Sequence, residues 1–449
     1  MLTEEEAQYL IWVASKHSAG SGAVVDLGPW LGCSSAALAE GLVRAGVEDP
    51  VQSFDLFEWR PSYMSTYLDR RLEDGDDFIP LFREFTASYG DRIRPQKADL
   101  MEHDWQGGPI DILFVDAAKS WGLTNAILRD FGPSLVPGQS TVILQDFKHT
   151  STYWLPLLFG GQPDVWQELH DVVDGDTVAY RLLKPLTEKV ISRASFDVEV
   201  VMRVFEPFFE RRRDQRFGLS YIRALLAYGP ESEADAVLER LLDKKSDTEV
   251  RSIRRSEQRI RKQARAESIQ EIWQAFAASD LETARRGVGA LDGVADDPDV
   301  LFVRGRLAQV EGRLGDADTE YRKALELPGA ARLGLLLSIA ECQIAAGEFD
   351  QAEQSVVELL LYEPKVPVDR RGWAMHVLRR AWLNRGDADR ARAARDRILE
   401  KFADAPEVLV AAAVIEHATD NREGARDWVS RALAVDENHR EARDLLAVL

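Results

Sequence analysis

Strand signals in this chain stop near residue 186, and everything after that point reads as helix. Before it, short apolar runs over 24–27, 51–56, 93–98, 110–115 and 141–144 predict strands. Helices are predicted over 2–17 and 34–46, over most of 60–90, and in an amphipathic stretch ending near Pro133. Strands separated by helices of this length are the pattern of a doubly wound, mostly parallel sheet. The apolar residues of each strand run continuously rather than alternating, as a sheet covered on both faces requires. Residues 166–183 predict two closing strands joined at Asp174-Gly175-Asp176. The expected fold class is therefore α/β over 1–186, followed by helical regions.

Two further segments are expected. Residues 187–268 read as a charged helical connector, with Arg211-Arg212-Arg213 and a basic run from Arg251 to Arg265. No aromatic residues interleave that run as they would in a nucleic-acid groove, so it reads as a solvated helix face. Residues 269–449 repeat. Turn signals at Leu314-Gly315-Asp316-Ala317, Ala346-Gly347-Glu348-Phe349 and Arg385-Gly386-Asp387-Ala388 are each followed by a similar helix, and a further copy turns at Asn421. A proline follows the second helix at Pro328, Pro364 and Pro406. The spacing is near the period of about 34 residues of a helix-turn-helix solenoid. This segment resembles the tetratricopeptide repeat family, whose stacked helix pairs imply a surface for a protein partner or a homodimer contact.

Charge and cysteine content narrow the function. Fifty-six Lys and Arg against 76 Asp and Glu give a formal net charge of -20 at pH 7, which argues against a dedicated binder of phosphate backbones. Two cysteines, Cys33 and Cys342, exclude a disulfide scaffold and a thiolate zinc site. The opening MLTEEEAQYL lacks the basic-then-apolar pattern of a secretory signal. No uncharged apolar stretch reaches ~18 residues. The expectation is a cytoplasmic protein with neither membrane nor nucleic-acid partner.

The first strand-turn-helix, Val24-Val25-Asp26-Leu27-Gly28-Pro29-Trp30-Leu31-Gly32-Cys33-Ser34-Ser35, carries the cofactor reading. Gly28 permits a bend, Gly32 permits close ligand approach, and Ser34 or Ser35 can cap the helix. Pro29-Trp30 stands where a dinucleotide fingerprint has its middle glycine, and an acid two residues before the first glycine suits a ligand bearing an ammonium group. The pattern resembles motif I of class I S-adenosylmethionine-dependent methyltransferases. That resemblance implies S-adenosylmethionine as cofactor, Asp55 on its ribose hydroxyls and Asp99 near its adenine. Asp26, Gly28, Gly32, Ser34 and Asp116 complete the expected cofactor set.

Chemistry is expected from the next two strand ends. Asp116 ends one, with Lys119 three residues on; Gln145 and Asp146 end the other. In a parallel sheet both loops open on one edge, so Asp116, Gln145 and Asp146 can converge as three oxygen ligands suited to Mg²⁺. The pattern is similar to the metal-assisted small-molecule O-methyltransferases of the catechol, caffeoyl-coenzyme A and sugar-modifying groups. In the catechol type Asp-x-x-Lys supplies a metal ligand and a general base, and its second element is Asp-Asn where this chain has Gln145-Asp146. The resemblance implies Lys119 as base, its pKa depressed beside the cation, with His149 on the second loop as the alternative. Trp30, Trp59, Trp121 and Trp154 fall near the site rim, and Tyr63, Tyr67 and Phe78 in the variable stretch are candidates to cover the substrate. The function implied is methyl transfer to a hydroxyl of a small molecule: a sugar, a glycosylated natural product or a phenol. Two alternatives stay open: a protein methyltransferase that holds its substrate on the repeats, and a catalytically silent scaffold.

Overall fold

The structure, a computed structural model, describes residues 2–17, 22–66, 72–187, 196–212, 214–291, 293–294, 296–363 and 365–449. Tyr67, Arg213, Pro364 and the side chain of Tyr63 lie outside the described residues. The chain divides into two compact units, Met1–Ala264 and Arg265–Leu449.

In the first unit the described strands are β1 (Ala23–Leu27), β2 (Val51–Asp55), β3 (Ile93–Lys97), β4 (Ile110–Val115), β5 (Thr141–Leu144), β6 (Trp166–Asp171) and β7 (Val178–Leu182). They form one sheet in the order β3-β2-β1-β4-β5-β7-β6. Strands β1 to β5 pair in parallel, with Val24 opposite Val51 and Val115 opposite Leu144. Strand β7 runs antiparallel between β5 and β6. This is the strand order of class I methyltransferases. The order reverses between β1 and β4, which opens a crevice at their C-terminal ends.

The continuous apolar strands follow from burial on both faces. Ile112 and Phe114 of β4 join a core with α1 (Glu4–His17) and α2 (Cys33–Ala45), through Leu10, Val13, Leu38 and Leu42. Their neighbours Leu113 and Val115 join the opposite core, with Ile127 and Leu128 of α5 (Trp121–Asp130). Alternate residues of one strand thus meet different helices, so every position is apolar.

The stretch 60–90 is less regular than its periodicity predicts. It holds α3 (Pro61–Met64), α4 (Ile79–Phe85) and a 3₁₀ turn over Ala87–Arg92, with Glu58, ahead of α3, bridged to Asp77, ahead of α4. Three helices, α6 (Val198–Arg212), α7 (Gln215–Tyr228) and α8 (Glu231–Leu242), place Val201, Phe205, Phe209, Ile222 and Leu238 in the same core as β5 and β7. Charged residues such as Glu199, Arg203 and Glu239 are exposed, Arg223 is buried over the Tyr153 ring, and the apolar stripes extend the sheet's second layer.

The second unit is a run of helix pairs: Pro298–Val310 with Leu314–Glu326, Arg332–Ala345 with Phe349–Tyr362, Val368–Arg385 with Ala388–Lys401, and Pro406–Ala418 with Arg422–Val435. Buried clusters pass from each pair to the next through residues such as Leu337, Ala340, Ala374 and Leu378, as in a solenoid. The first turn lies earlier than Gly315. Gly312, at φ +78°, makes it, while Gly315 sits inside the following helix. Gly347 and Gly386 turn as expected. No described helix is long and apolar enough to cross a membrane.

Candidate functional site

The loops at the C-terminal ends of β1, β2, β4 and β5 enclose a cavity of about 370 Å³, a size that suits a small organic ligand. Gly28, Asp55, Asp116, Lys119, Gln145 and Asp146 all line it, so four separate strand ends bring their expected residues to one place. Gly28, at φ +81°, lies so close to β4 that a Cβ would stand 3.1 Å from the Ala117 backbone nitrogen. Glycine is required there by both conformation and space.

Asp55 is clasped by backbone. Its Oδ1 accepts the Phe57 N–H at 2.8 Å. Burial pushes its pKa up, and the N–H groups of Phe57, Trp30 and Leu56 oppose the rise. Trp30 (φ +44°) and Phe57 (φ +51°) both hold left-handed backbone, which is uncommon for bulky residues and aims these two loops at the carboxylate.

Lys119 joins the two remaining strand ends. Its Nζ donates to Asp116 Oδ1 at 2.5 Å and to Asp146 Oδ2. Burial raises the Asp116 pKa to about 6, with Lys119 opposing. For Lys119 burial lowers the pKa, but the charges of Asp116 and Asp146 outweigh it and the net shift is upward. The two carboxylates therefore stabilise the Lys119 ammonium in this arrangement. The donor set as arranged does not fit Mg²⁺, because both of its carboxylates, Asp116 and Asp146, already hold the Lys119 ammonium. Among the described residues there is no group of three or more His, Cys, Asp or Glu that could hold a metal ion.

Five expected residues lie outside the cavity lining. Asp26 is fully buried, and its Oδ2 accepts from Ser34 Oγ at 2.8 Å and Ser35 Oγ at 2.6 Å. Those hydroxyls tie the strand to α2 instead of capping it; the cap position is Gly32, which lacks a side-chain bond. Gly32 serves packing, since a Cβ there would fall 2.3 Å from Thr86 Cγ2 and 3.0 Å from Phe82 Cε2. Asp99 is exposed and accepts the Met101 N–H at 2.9 Å. His149 is exposed, and its Nδ1 accepts the Ser151 N–H at 3.2 Å, starting a 3₁₀ turn.

Of the four rim tryptophans only Trp30 lines the cavity. Trp59 and Phe78 are buried in the core, Trp121 packs on Phe196, and Trp154 Nε1 donates to Thr124. Sequence reasoning missed Leu56, Glu58, Arg60, Met64 and Ala117, which complete the lining. The run Leu56-Phe57-Glu58-Trp59-Arg60 directly after the β2 acid was the available signal. Arg60 Nη2 donates to Glu58 at 2.6 Å. A larger cleft of about 670 Å³, lined by Arg83, Thr86, Asp91 and Arg94, sits at the β3 edge and contains none of the expected site residues.

The cavity carries four acids (Asp55, Glu58, Asp116, Asp146) against two bases (Arg60, Lys119). That balance favours a cationic ligand over a pyrophosphate.

No protein-family model and no curated protein matches the chain. Among solved structures it is similar to YrrB, a TPR protein with an unusual peptide-binding site, at 16% identity over 40% of this chain and 90% of that one, TM-score 0.28. PilW, a type IV pilus biogenesis factor, is 17% identical over 55% of this chain and 97% of its own, TM-score 0.33. The TPR domain of P58(IPK) is 13% identical over 56% and 81%, TM-score 0.21. At TM-scores this low the likenesses carry no inference about activity or partner.

Proposed function

We propose that the first unit is an S-adenosylmethionine-dependent methyltransferase that methylates a hydroxyl oxygen of a small molecule. The observation that carries this reading is the acidic cavity at the ends of β1, β2, β4 and β5, within a sheet of class I methyltransferase order. Asp55 offers its remaining acceptor capacity to ribose hydroxyls, and the Gly28 bend leaves room for the cofactor beside β4. The acidic lining favours the sulfonium charge. Bound S-adenosylmethionine would supply an electrophilic methyl to the acceptor oxygen and be left as a thioether, and a cavity carboxylate would take the hydroxyl proton. Holding cofactor and acceptor in line is the main contribution of the protein in this reading. The Lys119 ammonium orients Asp116 and Asp146 and takes no proton while it stays charged.

Calorimetry of the full chain with S-adenosylmethionine tests the assignment. Asp55→Ala is expected to weaken binding by about 1.5–3 kcal/mol, the worth of charge-assisted hydrogen bonds. Absence of heat at millimolar cofactor refutes it. The repeat unit is assigned a partner-binding role, with a second copy of the chain as first candidate, because stacked helix pairs leave a continuous open face. Light scattering of the full chain reads this directly: a monomer at tens of micromolar points to a different macromolecular partner.

A further inference from the structure

Among the described residues, Lys119 bridges two loops: Asp116 lies three positions before it in sequence and Asp146 lies 27 after it. Asp116 follows β4, and Asp146 lies two residues beyond β5. The ammonium sits between the carboxylates of both, where oxygen ligands of a divalent ion would have to meet. The side chain of Lys119 is 53% exposed while Asp116 and Asp146 are 27% and 20% exposed. The contact therefore closes from the cavity side, over acids that the loops themselves already hold. Asp146 is fixed from behind as well: its carbonyl accepts the Thr152 hydroxyl and the His149 N–H, the latter at 3.1 Å. Gln145 is 7% exposed, and its backbone N–H extends the β4–β5 ladder to the Val115 carbonyl at 3.0 Å. Two charged oxygen donors are thus organised around a cation that the chain itself supplies, with Gln145 lining the same cavity.

We propose that Lys119 is a built-in cation that replaces a divalent metal at this site, so that the site excludes Mg²⁺ and works as a metal-free centre. A monovalent ammonium balances part of the charge of two carboxylates and satisfies its donors on them, whereas Mg²⁺ demands near-octahedral oxygen coordination. A metal ion at this site would have to displace the ammonium from both carboxylates or share them with it against like-charge repulsion. Lys119 is on this reading a positioning residue: it sets the spacing of Asp116 and Asp146 and the charge they present to the acceptor. Its catalytic consequence rests on the methyltransferase assignment; the exclusion of metal does not.

The test is Mn²⁺ binding to the full chain without cofactor, read by electron paramagnetic resonance of the free ion and by calorimetry. Wild type is expected to bind no Mn²⁺ at this site up to millimolar concentration. Lys119→Met frees both carboxylates and is expected to gain a site at least about tenfold tighter than any in wild type. Lys119→Arg keeps the charge and should gain nothing, and Asp116→Asn in the Lys119→Met background should abolish the gained site. Tight Mn²⁺ binding by wild type that Asp116→Asn removes overturns the proposal, as does a Lys119→Met variant that stays folded by circular dichroism and gains no site. A parallel titration with S-adenosylmethionine keeps the readings apart, since failure there refutes the methyltransferase assignment and leaves the metal result standing.

Discussion

Replacing Gly32 by alanine tests whether this glycine serves packing or a ligand. Two costs add. The backbone at φ +91° is strained for any residue with a Cβ, which is worth about 1–2 kcal/mol. The new methyl would also stand 2.3 Å from Thr86 Cγ2 and 3.0 Å from the Phe82 ring, and Thr86 and Phe82 are both buried. Overpacking of that kind costs about 1–3 kcal/mol, for a total of about 2–5 kcal/mol. Gly46 supplies the control: its φ is +70°, and a Cβ there would have nothing within 4 Å, so Gly46→Ala carries the strain alone. Thr86→Ser removes the colliding methyl while keeping the hydroxyl bond to the Phe82 carbonyl, now 2.9 Å. In the double-mutant cycle it should recover about 1–2 kcal/mol of the Gly32→Ala loss. Urea unfolding followed by tryptophan fluorescence reads the first unit, because seven of the 11 tryptophans precede residue 167. The reasoning fails if Gly32→Ala loses no more stability than Gly46→Ala, or if Thr86→Ser recovers none of it.

Two more outcomes follow from buried charge. Burial holds Asp26 up at about 7 against the hydroxyls of Ser35 and Ser34, so between about pH 4 and 7 the folded chain keeps a proton that the unfolded chain releases. Its contribution to stability is full below that window and is lost as pH rises through it. Urea midpoints of wild type and Asp26→Asn should therefore move in favour of the variant from pH 4 to 7, and parallel curves would contradict this. Lys148, by contrast with half-exposed Lys119, is buried against Asp171 at 2.7 Å and donates to the carbonyls of Val172 and Gly175 at 2.5 and 2.8 Å. Lys148→Met should cost about 3–5 kcal/mol and Lys119→Met less than about 1 kcal/mol in the same denaturation assay; equal costs would show that burial does not separate the two lysines.

What the sequence determined by itself is the succession of elements. Strands β4 and β5 are legible to the residue, because a run buried on both faces is uniformly apolar and stops where the chain turns polar at Asp116 and Gln145. The closing hairpin was legible from Asp174-Gly175-Asp176, and Gly347, Gly386 and Asn421 mark repeat turns through their own conformational chemistry. These signals are local, since sterics and burial act on neighbouring residues. The stretch 60–90 misled for the same reason: its apolar spacing suits a helix, but the Glu58–Asp77 bridge interrupts it.

Only the tertiary structure decided which side chains meet. An amphipathic pattern in 198–242 states that a face is buried but not that β5 and β7 bury it. Asp26, Asp55 and Asp116 look equivalent as acids at strand ends. Packing turned the first inward onto two serines, clasped the second in backbone N–H groups, and gave the third to Lys119. Lys119 itself follows Asp116 by three residues, yet its second partner is Asp146, on a loop that reaches it only because β4 and β5 lie side by side. The strand pattern fixes where the acids stand along the chain, whereas the identity of the cation between them depends on a contact that forms only when the sheet does.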